Sequence, residues 1–148
     1  MVGKLALAMK QLNKLVICAV SGPPPEPANL ALSGDFVVFL ENARFIQAFV
    51  GIALVPTPAV LICSASIGAQ RALEMCITGR PVPAGGGPSG WGLVHEICPR
   101  EELEERTMAL ARKLAAGPLF AYTNIKKQVY GAAFHDYDRY SIRWRRRQ

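Results

Sequence analysis

The apolar positions of this chain fall into short runs divided by turn-forming residues, and the period of each run predicts an element. Leu5, Ala8, Met9 and Leu12 recur at helical spacing, which predicts an amphipathic helix over residues 4–13. "LVICAV" (15–20) and "DFVVFL" (35–40) are unbroken runs rich in β-branched residues, suited to strands buried on both faces. Between them "SGPPPEPAN" breaks the backbone pattern, and 28–33 is long enough for a brief helix. "ARFI" (43–46) predicts a third short strand, while 59–67 reads as an apolar helix or a loop. "GAQRALEMCITGR" predicts a helix from Ala69 to Ile77, stopped by Gly79. Residues 81–90, "PVPAGGGPSG", are loop by composition, and "GLVHEI" (92–97) predicts a strand.

The C-terminal third is helical in pattern. In "PREELEERTMALARKLAAGP" the acids Glu101, Glu102, Glu104 and Glu105 crowd the start and Arg112 and Lys113 the end, both favourable to the helix dipole. Leu103, Leu110 and Leu114 give it one apolar face, and Gly117-Pro118 terminates it. A further helix is expected over 119–133 and a third over 134–146. Alternating strands and helices giving way to helices define an α/β chain. The expected division is an α/β core over 1–118 and a helical segment with a basic tail over 119–148.

Composition narrows this picture. A chain of 148 residues, 51% hydrophobic and 19% charged, is sized for one globular domain rather than a disordered chain. Its net charge of +6 admits an anionic partner. Much of the excess lies in the tail, however, and without Arg143, Arg145, Arg146 and Arg147 the body carries only +2. The tail "RWRRRQ" has the arginine–aromatic make-up of nucleic-acid or membrane-surface contacts, but a solvated end is the expected reading. Cys18, Cys63, Cys76 and Cys98 form no CxxC pair, so reduced thiols in a reducing compartment are expected, and no metal site. The N-terminus shows no secretory signal. Residues 45–70 carry no charge, yet Pro56 and Pro58 at the centre favour a strand, a turn and a core helix over a membrane span.

Six pieces stand in one order: "KLVICAVSG" (14–22), "DFVVFLENARF" (35–45), "GIALVP" (51–56), "RALEMCITGRPVPA" (71–84), "WGLVHEICPREELEERTMALARKLAAGP" (91–118) and "IKKQVY" (125–130). This series resembles the crotonase superfamily, the enoyl-CoA hydratase/isomerase proteins. The resemblance implies a spiral of ββα repeats, here without the N-terminal part of the fold, and an acyl-CoA thioester as substrate or ligand, with no separate cofactor. It further implies a thioester enolate held by two backbone N–H groups, with two glutamates moving the proton. It places substrate contacts at Ala28, Phe49, Val55, Pro56, Thr57, Lys126 and Lys127, the two lysines toward the CoA phosphate.

The residues at the chemical positions depart from that pattern. Where the family carries a glycine-rich turn, this chain has Pro25, Glu26 and Pro27, and proline donates no N–H. The first hydratase glutamate aligns with Asn29, which orients water but takes no proton, and the second with Phe49. Glu26 and Asn29 are therefore the candidate catalytic residues, Glu26 as a relocated base. Set against these roles, a glutamate among prolines is ordinarily solvated, Asn29 suits a helix N-cap, and Asp35 is expected to bond locally. His95 and Glu96, neighbours on a strand, point to opposite faces. "AGGGPSG" lacks the spacing of a phosphate loop, and His135 with Asp136 read as a solvated helix start. The expectation is a family member with weak or no hydratase activity. The alternatives are a noncatalytic binding or assembly subunit and a binder acting through the arginine tail. A homo-oligomer, or a hetero-oligomer with a crotonase-like subunit, is expected, because the sheet edge beginning at Leu15 invites a partner. Cytoplasmic location is expected, with the mitochondrial matrix or peroxisome as eukaryotic alternatives.

Overall fold

The computed structural model describes residues 2–22, 28–54, 65–83 and 91–133. Its centre is a parallel three-stranded sheet of β1 (Ile17–Val20), β2 (Phe36–Leu40) and β5 (Glu96–Cys98), in the order β1-β2-β5. Register runs from Ile17 opposite Phe36 to Val20 opposite Phe39, and from Val38 opposite Glu96 to Leu40 opposite Cys98. Parallel neighbours require a crossover, and the short helix α2 (Ala28–Ala31) lies in the β1–β2 connection. The longer β2–β5 connection holds β3 (Arg44–Phe45), a 3-10 turn (Ala48–Ile52), α3 (Ala69–Thr78) and β4 (Val82–Pro83). A helix α1 (Val2–Gln11) precedes the sheet. A 3-10 turn (Arg100–Glu102), α4 (Leu103–Ala115) and α5 (Leu119–Ala133) follow it.

The core sits on β2. Val38 and Phe39 are buried with Phe45, Met75 and Val82, and the Phe39 and Phe45 rings stand 4.8 Å apart. Both α4 and the 3-10 turn before it close one side, Leu103 buried and Leu110 packed against the core. α3 contributes Ala72 and Met75, three residues apart on one face, and ends as its sequence requires. Gly79 takes a left-handed φ of 60° and its N–H bonds the Met75 carbonyl at 3.1 Å, a conformation costly for a residue with Cβ. Gly34 serves packing instead: a Cβ there would lie 2.7 Å from Cys18 Sγ and 3.1 Å from the Phe36 carbonyl oxygen.

Four expectations change. β1 is half-buried rather than covered on both faces, because it lies at the edge of the sheet among the described residues. Residues 82–83 are not loop but β4, antiparallel to β3 with Phe45 opposite Val82. Pro83 is tolerated there because it ends a two-residue edge strand. The strand expected over 92–97 shortens to Glu96–Cys98: Gly92 turns with φ of 69°, and only the His95 N–H reaches back to the Val37 carbonyl before pairing begins. α1 starts and ends two residues earlier than its apolar period indicates. The expectations for 59–64, 84–90 and 134–146 lie outside the described residues. Among the described residues no helix is long and apolar enough to cross a membrane.

Candidate functional site

The polar centre of the molecule forms where α1, β1, β2 and α5 meet. Asp35, at the mouth of β2, accepts the Val16 N–H at 2.7 Å and the Lys126 ammonium at 2.7 Å through Oδ2. Lys126 spends its remaining N–H groups on the carbonyls of Met9 and Lys14, each at 2.8 Å. The two side chains are only 3% and 5% exposed, so this ion pair is internal. Three N–H groups on three oxygens leave the ammonium no unmet donor, which is the condition for keeping a buried charge.

One turn further along α5, Tyr130 faces the same centre. Lys10 donates to the Tyr130 hydroxyl at 2.8 Å and to the Gly34 carbonyl at 3.0 Å, and its ammonium stands 4.1 Å from the Tyr130 ring centroid. Burial pulls the Lys10 pKa down to about 8; Asp35 opposes that shift and Lys126 adds to it. Burial pushes the Tyr130 phenol well up, and its hydrogen bond to Asp35 and that carboxylate's charge push it further. Lys10, Asp35 and Tyr130 line a cavity of about 310 Å³, together with Ser66, Gly92 and His95. Cys18 lies beside it against Gly34, its thiol pushed up mainly by burial.

The residues named from the sequence are distributed as follows. Phe49 lies in the exposed 3-10 turn, 36% exposed, and does not line the cavity. Ala28 and Asn29 are the first and second residues of α2, which places Asn29 inside the helix rather than at its cap. Glu26, Val55, Pro56 and Thr57 lie outside the described residues. Lys126 corrects the expectation of a surface lysine reaching a phosphate: its ammonium is buried and committed to three internal oxygens. Lys127, next to it, is exposed. Asp35 does bond its neighbourhood, but its partner is also 91 residues away. Lys10 and Tyr130 were missed. The available signal was the i, i+4 spacing of Lys126 and Tyr130 in "IKKQVY", which sets both on one face of a helix. Among the described residues no three His, Cys, Asp or Glu side chains gather as a metal site.

A parallel sheet with crossover helices, an antiparallel ribbon beside it and helices at the C-terminal end define a crotonase-like α/β fold. An enoyl-CoA hydratase from Mycobacterium avium subsp. paratuberculosis superimposes with a TM-score of 0.86 at 29% identity, over 96% of this chain and 58% of that one. The family model for enoyl-CoA hydratase/isomerase matches residues 1–141, and the chain belongs to that family. It is 32% identical over 142 residues to a trans-2-decenoyl-[acyl-carrier-protein] isomerase of Streptococcus mutans, covering 95% of this chain and 54% of the relative. It is 31% identical over 136 residues to a 1,2-epoxyphenylacetyl-CoA isomerase of Escherichia coli, covering 90% and 52%. The chain thus spans about half the length of the curated relatives it matches.

Proposed function

We propose that this chain binds acyl-CoA thioesters and hydrates or isomerises them weakly or not at all. The observation that carries the reading is Phe49: where the resemblance sets the second acid, the chain presents an exposed phenyl ring on a 3-10 turn. The first acid position is Asn29, which holds water without accepting a proton. Among the described acids, Asp35 is paired with Lys126, Glu74 with Arg80, and Glu96 and Glu102 with Arg106. Glu26 is the one acid left in the proline turn, and Ala28, Val55, Pro56, Thr57 and Lys127 are the substrate contacts the family pattern supports. The relatives named above, an acyl-carrier-protein thioester isomerase and a CoA thioester isomerase, support the ligand class.

Loss of an acid–base group removes about 10²–10⁴ in rate, and loss of one oxyanion donor about 10²–10³. The test is calorimetry with crotonyl-CoA beside an absorbance assay of its hydration. Saturable heat without turnover is expected; a kcat within the usual ~1–10³ s⁻¹ range refutes the reading.

A second reading, an assembly subunit, is favoured by two observations. β1 has no strand on its outer edge among the described residues, and α5 exposes Leu119, Phe120, Ile125 and Val129, Phe120 at 85%. An open edge and an uncovered apolar face both favour association. Native mass spectrometry tests it: a single-chain mass at micromolar concentration removes this reading.

A further inference from the structure

Lysine nitrogens react as nucleophiles only when neutral, reachable and not fully engaged. The described lysines separate sharply on these conditions. Lys126 is buried with three oxygen acceptors, so no lone pair is available. Lys14, Lys113 and Lys127 are exposed and free to hydrate. Lys10 alone lines the 310 Å³ cavity, with two acceptors, Gly34 O and Tyr130 Oη, for three N–H positions. When its ammonium loses a proton, the two remaining N–H groups keep both acceptors and the third tetrahedral position carries the lone pair.

We propose that Lys10 is a self-acylation site, its amine taking the acyl group of a short-chain acyl thioester admitted to this cavity. The lone pair attacks the thioester carbonyl carbon, an N–C bond forms and the C–S bond breaks. The departing thiolate takes the proton released by nitrogen, so the products are an amide on Lys10 and a free thiol. No electron donor or acceptor is required. A cavity of about 310 Å³ has room for a short acyl chain.

The groups facing Lys10 set its charge. Tyr130 and Lys126 come from α5, Asp35 and Gly34 from the entry to β2, Cys18 from β1, and His95 lines the cavity from the segment before β5. Asp35 is already neutralised by Lys126, so it does not hold the Lys10 proton as a free carboxylate would. Burial then brings deprotonation of Lys10 down to about pH 8. At that pH about half its amine is neutral, against well under ~1% for an ordinary lysine. Weaker basicity also lowers nucleophilicity and offsets part of that roughly hundredfold gain in neutral amine.

The inference borrows the thioester donor from the proposed function, and the experiment separates the two. The full chain is incubated from pH 7 to 10 with S-acetyl-N-acetylcysteamine, which has no nucleotide, and in parallel with acetyl-CoA, and acetylation of each lysine is followed by peptide mass spectrometry. Expected at pH 8 is acetylation of Lys10 several-fold faster than of Lys14, Lys113 or Lys127, levelling off above pH 8 while theirs keeps climbing. In concentrated urea the advantage vanishes, and Lys10→Arg removes the fast site without changing the other rates. Lys10 reacting no faster than the exposed lysines, climbing with them to pH 10, or keeping its lead in urea overturns the proposal. Reaction with the small thioester in a chain that binds no CoA sinks the acyl-CoA reading and leaves Lys10 standing; CoA binding with an inert Lys10 does the reverse.

Discussion

Replacing Lys126 by methionine tests the central energetic statement. The substitution keeps the length and apolar stem of the side chain and removes the ammonium, which bonds Asp35, Met9 O and Lys14 O. Three acceptors lose their donor at once, and Asp35, 5% exposed, keeps a negative charge held by the Val16 N–H and the Tyr130 hydroxyl. Breaking a buried ion pair from one side costs about 3–5 kcal/mol. Lys10 stands near enough to Asp35 to offset part of this, so the lower end, about 3 kcal/mol, is expected. That is a large share of the roughly 5–15 kcal/mol that holds a domain folded. Urea unfolding followed by circular dichroism measures it, with a melting temperature lower by roughly 6–12 °C as a second readout. Asp35→Asn added to Lys126→Met removes the stranded charge while its amide oxygen still accepts Val16 N–H. The double variant is expected to recover about 1–3 kcal/mol relative to additivity. A loss below ~1 kcal/mol, or a cycle additive within about 0.5 kcal/mol, refutes the claim that the pair holds α5 to the sheet.

Two further outcomes follow from the same region. Gly34→Ala places a methyl against Cys18 Sγ and the Phe36 carbonyl, and is expected to cost about 1–3 kcal/mol in urea unfolding. Cys18→Ala restores only part of that, because Phe36 O and Cys18 Cβ would still lie 3.1 and 3.2 Å away; full recovery would assign all of the strain to Cys18 Sγ. Lys10, with a folded pKa near 8 against an unfolded value near 10.5, binds fewer protons folded than unfolded across that window. Stability due to Lys10 therefore rises with pH between about 8 and 10.5 and is flat below. The difference in melting temperature between the parent chain and Lys10→Met, measured from pH 7 to 10, isolates this from the thiols, whose raised pKa values act oppositely. A difference that falls with pH contradicts the burial of Lys10.

What the sequence made legible was whatever a local period or a single residue determines. The unbroken run at 35–40, the helix beginning at Ala69 and the Gly79 stop all appear where their pattern predicts. β4 escaped because Pro83 reads as a breaker, and only the antiparallel partner Arg44–Phe45 makes it a strand. β5 shortened because pairing is decided by β2's available edge, not by the apolar run that precedes it. The polar centre was illegible for the same reason: Lys126 meets Asp35 across 91 residues and Lys10 meets Tyr130 across 120. Adjacent residues in "IKKQVY" look equivalent in sequence, yet one lysine is buried and the next exposed. Rotation of about 100° per residue along a helix is enough to divide them.

The positions on which the proposed function rests and those that form the core lie in different elements. Asn29 and Phe49 belong to a four-residue helix and a five-residue 3-10 turn, and the turn buries none of its residues. Substitution of an exposed side chain away from the core ordinarily changes stability by less than ~0.5 kcal/mol. Asp35, Lys126, Phe39 and Met75, all buried or nearly so, belong to other elements. A chain of this architecture therefore keeps its shape whether Phe49 or a glutamate stands in the turn, and likeness of fold carries no information about turnover. Phe49→Glu should accordingly leave the urea midpoint unchanged within error while adding a carboxylate at the turn. A large stability loss from that single exchange would mean that the phenyl ring is part of the core, and would remove the main ground for reading the site as altered chemistry.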